Sequence, residues 1–288
     1  MQPCWRLRNA CAPFALDTDM NAPASDLRVT LVQAATHWHD AKANRVMYGD
    51  LLRPLAGLTD LVVLPEAFTS GFTNETLMHA ETMQDVTVRW MGALAAETGA
   101  VITGSVVIRD GERYVNRLIW MRPDETFAVY DKRHLFRMAN EHERYASGSE
   151  RLIAELNGWR VCPLVCYDLR FPVFMRNTMR ADIGRMDYDL LLFVANWPAP
   201  RRGPWRTLLR ARAIENLSYC VGVNRVGSDG NQLHYAGDSA VIDFVGEPLV
   251  ELDDQPRLST STLSAAALSA HRERFPAWRD ADAFTLQL

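Results

Sequence analysis

A chain of 288 residues, 48% of them hydrophobic, is long enough to bury one large α/β core. Its formal net charge of -4, with 31 basic and 35 acidic side chains interspersed, leaves no basic field to attract phosphates, so nucleic acid is not an expected partner. No apolar run approaches the roughly 20 residues of a membrane span. Five scattered cysteines (Cys4, Cys11, Cys162, Cys166 and Cys220) are unlike the dense, even framework of a small secreted domain. Together these features predict a soluble, cytoplasmic protein.

Residues 1–26 carry arginines and a short apolar patch, "ACAPFAL", that Pro13 and Asp17 interrupt. They are expected to be a poorly structured extension rather than a signal peptide, with Met20 an alternative start. From Leu27 onward, short β-rich runs alternate with helical segments. "LRVTLVQAA" leads into a predicted helix over Ala41–Leu58. "LVVLPE" is followed by a second over Asp85–Thr98, where Val86, Trp90 and Leu94 recur at spacing four. "AVITGSVVI", "YVNRLIWM" and "FAVYDK" are consecutive strands, as are "RVCPLVCYD" and "YDLLLFVANW". A helix over Gly203–Tyr219 has Pro204 in its first turn. "YCVGVNRVG" and "HYAGDSAVIDF" follow, and a last helix is expected to start near Thr262. No linker or repeat cuts this pattern, so residues 27–288 read as one α/β domain.

Three predicted strands end in chemistry: Glu66 after "LVVLP", Lys132 after "AVYD" and Cys166 after "CPLV". Taken singly, each has a bland reading: a strand terminator, a solvated turn and a buried filler. Taken together they meet the needs of amide hydrolysis. A thiol is mostly protonated at neutral pH and needs a base, which Glu66 supplies, or a nearby cation, which Lys132 supplies. The oxyanion formed by sulfur attack needs donors already in place, for which Lys132 and the backbone N–H of Tyr167 are candidates. Protonated Glu66 can then supply the proton to the departing amine and, as a base again, activate water. A second carboxylate for the lysine or the substrate is available in "MANEHERY", as Glu141 or Glu143.

Rival motifs are absent: no G-x-S-x-G elbow, no phosphate loop and no H-E-x-x-H occurs. His37 and His39 of "HWH" would clamp a metal only if a third ligand joined them, and their position reads better as loop, so no metal is expected. Asp168 and Arg170 read as structural residues of the turn after Cys166. Arg212, Glu215 and Asn216, at helical spacing, read as a packed or paired face.

With these residues in hand, the chain resembles the nitrilase superfamily of carbon-nitrogen hydrolases, over nearly everything from Leu27 on. "LPEAFTSGF", "YDKRHLF" and "CYDLRFP" match its Glu-Lys-Cys order. The resemblance implies Glu66 as general base, Lys132 as oxyanion-stabilising cation and Cys166 as nucleophile. The family's auxiliary glutamate lies seven residues before a loop glycine; counting back from Gly148 favours Glu141. The implied fold is a four-layer αββα sandwich, assembled as a homodimer or larger homo-oligomer through its helical faces, with no cofactor. "VANWPAPR" and "RFPAWRDADAF", with "LPEAFTSGFTNE" and "YDKRHLFRMANEHERY", look most like the ω-amidase group, which implies hydrolysis of the terminal amide of 2-oxo acids such as 2-oxoglutaramate and 2-oxosuccinamate. Other carbon-nitrogen hydrolases of the superfamily (a nitrilase, a carbamoyl-amino-acid hydrolase, an aliphatic amidase) are the alternative, and a silent binding protein on this fold a further one. The far carboxylate of a small ketoacid amide needs a cation. Arg201 and Arg202 are candidates, beside Asn196 at the end of the preceding strand, and Phe72, Tyr145 and Trp197 are candidate apolar walls.

Overall fold

Alternation along the first strand puts Leu27, Val29 and Leu31 into one apolar cluster and Val32 into another. A strand buried on both faces belongs in an inner layer. In the computed structural model, which describes residue 23 and residues 25–286, that layer is one of two six-stranded sheets. The twelve strands are β1 (Leu27–Gln33), β2 (Leu61–Val63), β3 (Val101–Asp110), β4 (Arg113–Met121), β5 (Phe127–Asp131), β6 (Ala154–Leu156), β7 (Trp159–Val165), β8 (Leu190–Ala195), β9 (Tyr219–Asn224), β10 (Ala240–Ile242), β11 (Pro248–Glu251) and β12 (Arg257–Leu263). The first sheet runs β12-β1-β2-β3-β4-β5 and the second β11-β10-β9-β8-β7-β6. Each has a parallel core, β1-β2-β3 in one and β7-β8-β9 in the other, with antiparallel edges.

The sheets pack face to face. Val29, Leu31, Val63, Leu118 and Trp120 of the first sheet share one cluster with Val161, Leu164, Leu192 and Val221 of the second. Helices α1 (Ala41–Leu52) and α2 (Val86–Thr98) cover the outside of the first sheet, setting Tyr48, Leu52, Met91 and Leu94 against Val62, Ile102 and Ile119. Asp40 caps α1 by accepting from the Ala43 N–H at 2.9 Å. Helix α3 (Arg202–Asn216) covers the second sheet so closely that a Cβ on Gly222 would lie 2.6 Å from Leu209. Helix α4 (Ala265–Arg274) is tied in by Arg272, which donates to Asp189 at 2.6 Å and to the Leu217 carbonyl at 2.9 Å. The result is the expected αββα order.

Several boundaries differ from expectation. Helix α1 stops at Leu52 rather than Leu58, because Pro54 has no N–H to continue the ladder and the chain tightens into a 3-10 turn over Arg53–Leu55. The last helix does not begin near Thr262: β12 runs to Leu263, and Ser264 caps α4 by accepting from the Ala267 N–H at 3.3 Å. "HYAGDSAVIDF" splits, its start pairing with Val226–Ser228 in a two-stranded ribbon and Ala240–Ile242 joining the second sheet. The expectation of an unstructured 1–26 falls mostly outside the described residues. Its last two positions are anchored: the Ser25 carbonyl accepts from Trp159 Nε1 at 2.7 Å and Asp26 accepts from the Ala265 N–H at 2.9 Å.

Candidate active site

The parallel strands β2, β7 and β8 end at one rim of the sandwich, and β5 reaches the same rim, so residues far apart in sequence meet there. Glu66 follows β2, Lys132 follows β5, Cys166 follows β7 and Asn196 follows β8. Lys132 Nζ donates to Glu66 Oε1 at 2.9 Å and to both Glu141 oxygens at 2.9 and 3.0 Å. All three side chains are buried. Glu66 also accepts from Asn116 Nδ2 on β4 at 2.8 Å and from the Asn196 N–H at 2.8 Å, while Asn196 Nδ2 donates to the Glu66 carbonyl at 2.7 Å. Glu66 is thus held from both sheets. Glu141 accepts from the Phe136 N–H at 2.6 Å, whereas Glu143 is exposed. Of the two carboxylates, Glu141 is the one that contacts Lys132.

Cys166 opens a single 3-10 turn over Cys166–Arg170 instead of a longer helix. Its φ of 47° lies in the left-handed region that a non-glycine residue enters only when its surroundings impose it. Asp168 imposes it: its carboxylate accepts from the Val165 N–H at 3.0 Å, Tyr130 Oη at 2.7 Å and the His134 N–H at 2.9 Å. Arg212 of α3 grips the turn from below, donating through Nε and Nη2 to the Leu169 carbonyl at 3.0 and 2.8 Å. The N–H of Tyr167, second in the turn, is one of the leading amides that a helical turn leaves without an acceptor of its own.

Burial pushes the Cys166 thiol well above the ordinary cysteine range, and the Glu66 charge adds to that push while Lys132 opposes it. Burial works against the Lys132 charge, but Glu141 and Glu66 outweigh it and hold the ammonium well above the usual lysine value. Burial, with repulsion from Glu66, raises Glu141 against the pull of Lys132. The Cys166 thiol thus favours its protonated form, with Glu66 and Lys132 beside it.

A cavity opens on this group, walled by Phe72, Phe136, Trp197 and Tyr235 and reached by Arg170 and Arg201. Phe72 lies with its ring centroid 5.5 Å from Lys132 Nζ. Arg170 stacks over Trp197 at 4.9 Å and Arg201 over Phe136 at 5.3 Å. Among the described residues neither guanidinium has a carboxylate partner. Two expectations need correction. Arg202 is not on the cavity: it forms a two-pronged pair with Asp238 at 2.7 and 3.0 Å, because it is the first residue of α3 and points to the other side of the turn. Tyr145 is buried behind the site, its hydroxyl donating to the Thr73 carbonyl. Arg170, read as structural, instead lines the cavity, and Asn116 was not anticipated. A buried asparagine inside the apolar strand "YVNRLIWM" was the available signal.

This is the fold and constellation of an enzyme that hydrolyses carbon-nitrogen bonds in linear amides. Residues 28–273 match the carbon-nitrogen hydrolase family, and the chain belongs to it. It is 50% identical over 263 residues to the omega-amidase YafV of Escherichia coli strain K12, covering 90% of this chain and 98% of that protein. It is 31% identical to the 2-oxoglutaramate amidase of Bacillus subtilis, over 77% of this chain and 84% of the other. The crystal structure of XC1258 from Xanthomonas campestris, a CN-hydrolase superfamily protein with an arsenic adduct in its active site, superposes with a TM-score of 0.89 at 60% identity, covering 91% of this chain and 99% of that one.

Proposed function

We propose that the protein is an ω-amidase, converting the terminal amide of a 2-oxo acid such as 2-oxoglutaramate or 2-oxosuccinamate to the 2-oxo dicarboxylate and ammonia. The observation that carries this reading is the buried Glu66-Lys132-Glu141 cluster facing Cys166 in a cavity that also holds two arginines without carboxylate partners among the described residues. The cluster suits acyl transfer, and the arginines suit a substrate with a carboxylate beyond its amide. Identity to relatives named for this activity supports the same conclusion.

In this mechanism Glu66 takes the thiol proton as sulfur attacks the amide carbon. The developing oxyanion is met by Lys132 Nζ and the Tyr167 N–H. Asn196 Oδ1, buried and without a hydrogen-bond partner among the described residues, is placed to accept from the substrate amide N–H. Collapse breaks the C–N bond, and Glu66 returns its proton to the departing nitrogen, leaving a thioester. Glu66 then deprotonates water for attack on the thioester, and the thiolate leaves with that proton. Glu141 positions Lys132 and keeps it charged. Arg201, with Arg170, binds the far carboxylate. A free nucleophilic thiol fits a reducing compartment, and assembly through the helical faces is part of the same reading.

Ammonia release measured with 2-oxoglutaramate, an aliphatic nitrile and a carbamoyl amino acid separates the family's activities. Brisk turnover of the first alone is expected. Negligible turnover of 2-oxoglutaramate beside rapid turnover of another substrate would overturn the assignment. Cys166→Ala, folded by circular dichroism, should release none. Replacing Arg201 by methionine should raise KM for the ketoacid amide by ~10- to 100-fold, as expected for loss of a charge-assisted pair, and leave an uncharged amide little affected.

A further inference from the structure

A second group of ionisable side chains lies apart from the catalytic cluster. His39 sits in the loop after β1, while Glu75 precedes and His79 ends the short helix Thr76–His79 that follows the cavity wall residue Phe72. The two imidazole rings lie with centroids 3.7 Å apart. Both Nε2 atoms are buried and lack any hydrogen-bond partner among the described residues. Glu75 Oε2 is 4.0 Å from His79 Nε2, and one donor atom from each residue falls within 4.8 Å of the others.

An imidazole nitrogen shut away from water without a partner is unfavourable, and having two in one place doubles the cost. Protonation of both is no remedy, since it would stack two cations. One cation between them satisfies both nitrogens and pairs with the carboxylate. We propose that His39, Glu75 and His79 form a binding site for a divalent transition metal ion, Zn2+ being the best match. Two imidazoles and one carboxylate are a donor set that zinc accepts, with water completing the tetrahedron. Donors about 2.0–2.1 Å from such an ion lie ~3.4 Å apart, so the exposed Glu75 side chain, now 4.0 Å from His79 Nε2, must draw in to bind. Because an imidazole coordinates in the plane of its ring, the His79 ring must also turn out of its present stack on His39. His39 is fixed by its N–H bond to the Ser70 carbonyl at 3.0 Å and by Trp38 stacked on its ring at 4.1 Å, and a Cβ on Gly230 would lie only 2.2 Å from Trp38 Nε1.

The bound ion joins the loop after β1 to residues 75–79, just beyond Phe72 and Thr73. It is a staple for one wall of the cavity and takes no part in bond breaking. The inference does not depend on which amide the enzyme hydrolyses.

The test uses full-length protein carrying Cys166→Ala, since the nucleophile and its carboxylates can themselves hold zinc. Calorimetric titration should show about one equivalent of Zn2+ bound, and Co2+ should give visible d–d absorption without a thiolate charge-transfer band. Adding His39→Asn, which keeps a residue tolerant of the left-handed backbone at that position (φ 56°), or His79→Ala should abolish that equivalent. Glu75→Gln should weaken it at least tenfold. In the same Cys166→Ala background, Zn2+ should raise Tm, and the rise should vanish in either histidine variant. No binding to the parent, a charge-transfer band, or binding that persists undiminished in both folded histidine variants would overturn the site.

Discussion

A carboxylate beside a thiol stabilises the thiol's proton, so Glu66 raises the thiol pKa at rest, while in the proposed mechanism it removes that proton during attack. Glu66→Gln separates them. The variant should lose hydrolysis by ~100- to 10,000-fold, the range for removal of a general base, yet its thiol should ionise at lower pH than in the parent, because Lys132 then acts on it without the opposing charge. Thiolate absorbance in the far ultraviolet, followed through a pH titration, reads this directly; an unchanged or raised thiol pKa would contradict the arrangement. Glu66, Lys132 and Cys166 were legible in the sequence because each ends an apolar strand, and strand ends gather at a rim. The arginines were less so. Arg201 and Arg202 are adjacent, and only Asp238, 36 positions downstream of Arg202, decides which of them is consumed in an ion pair. Arg170 looked structural because nothing local reveals that the 3-10 turn aims its side chain into the cavity.

At the scale of elements, two connections set the site's precision. One is the turn after β7, held by Asp168 and Arg212. The other follows Lys132, where the Gly148 N–H donates to the Lys132 carbonyl at 3.0 Å and a Cβ on Gly148 would lie 2.1 Å from the Asp131 carbonyl oxygen. That carbonyl belongs to backbone, which cannot step aside without moving the neighbouring lysine. Gly148→Ala should therefore displace Lys132 and lower kcat by about 100-fold, the cost of roughly an ångström of misplacement. Gly203→Ala, on open space within α3, is the matched control and should leave kcat unchanged. Equal activity in both variants would show that Gly148 does not set the lysine's position. The edge strand β12 was illegible for a related reason: it pairs with β1 through an antiparallel backbone ladder, while its side chains in "RLSTSTL" are mostly polar, the Thr260 and Thr30 hydroxyls lying 2.8 Å apart, and such a segment carries no apolar signature. Its serines and threonines resemble helix caps, and Ser264, which follows them, is indeed one.

For the molecule as a whole, the buried cluster around Lys132 is a burden placed at the seam between the two sheets. Glu66 and Lys132 come from the first, Cys166 and Asn196 from the second, and the bonds of Asn196 to Glu66 cross the gap. Removing one partner from a buried charge cluster leaves the others uncompensated, at a cost of about 3–5 kcal/mol, so Lys132→Met should lower global stability by that order as well as abolish activity. The pH dependence has a definite sign. Burial and repulsion from Glu66 already raise Glu141 against the pull of Lys132, and losing Lys132 raises it further. Between the ordinary carboxylate pKa and this raised value, the folded variant holds a proton that the unfolded chain has released, so the variant's stability falls as pH rises through that window. The Lys132 ammonium of the parent, raised above the usual lysine value, stays charged across the same range and keeps its contribution. Urea unfolding at about pH 5 and about pH 8 should then show a smaller deficit for Lys132→Met at the lower pH. Adding Glu141→Gln should recover part of the loss at the higher pH, because it replaces an uncompensated buried charge with a neutral amide. A deficit that is constant with pH, or unrelieved by the second substitution, would mean that the lysine stabilises the fold by packing alone.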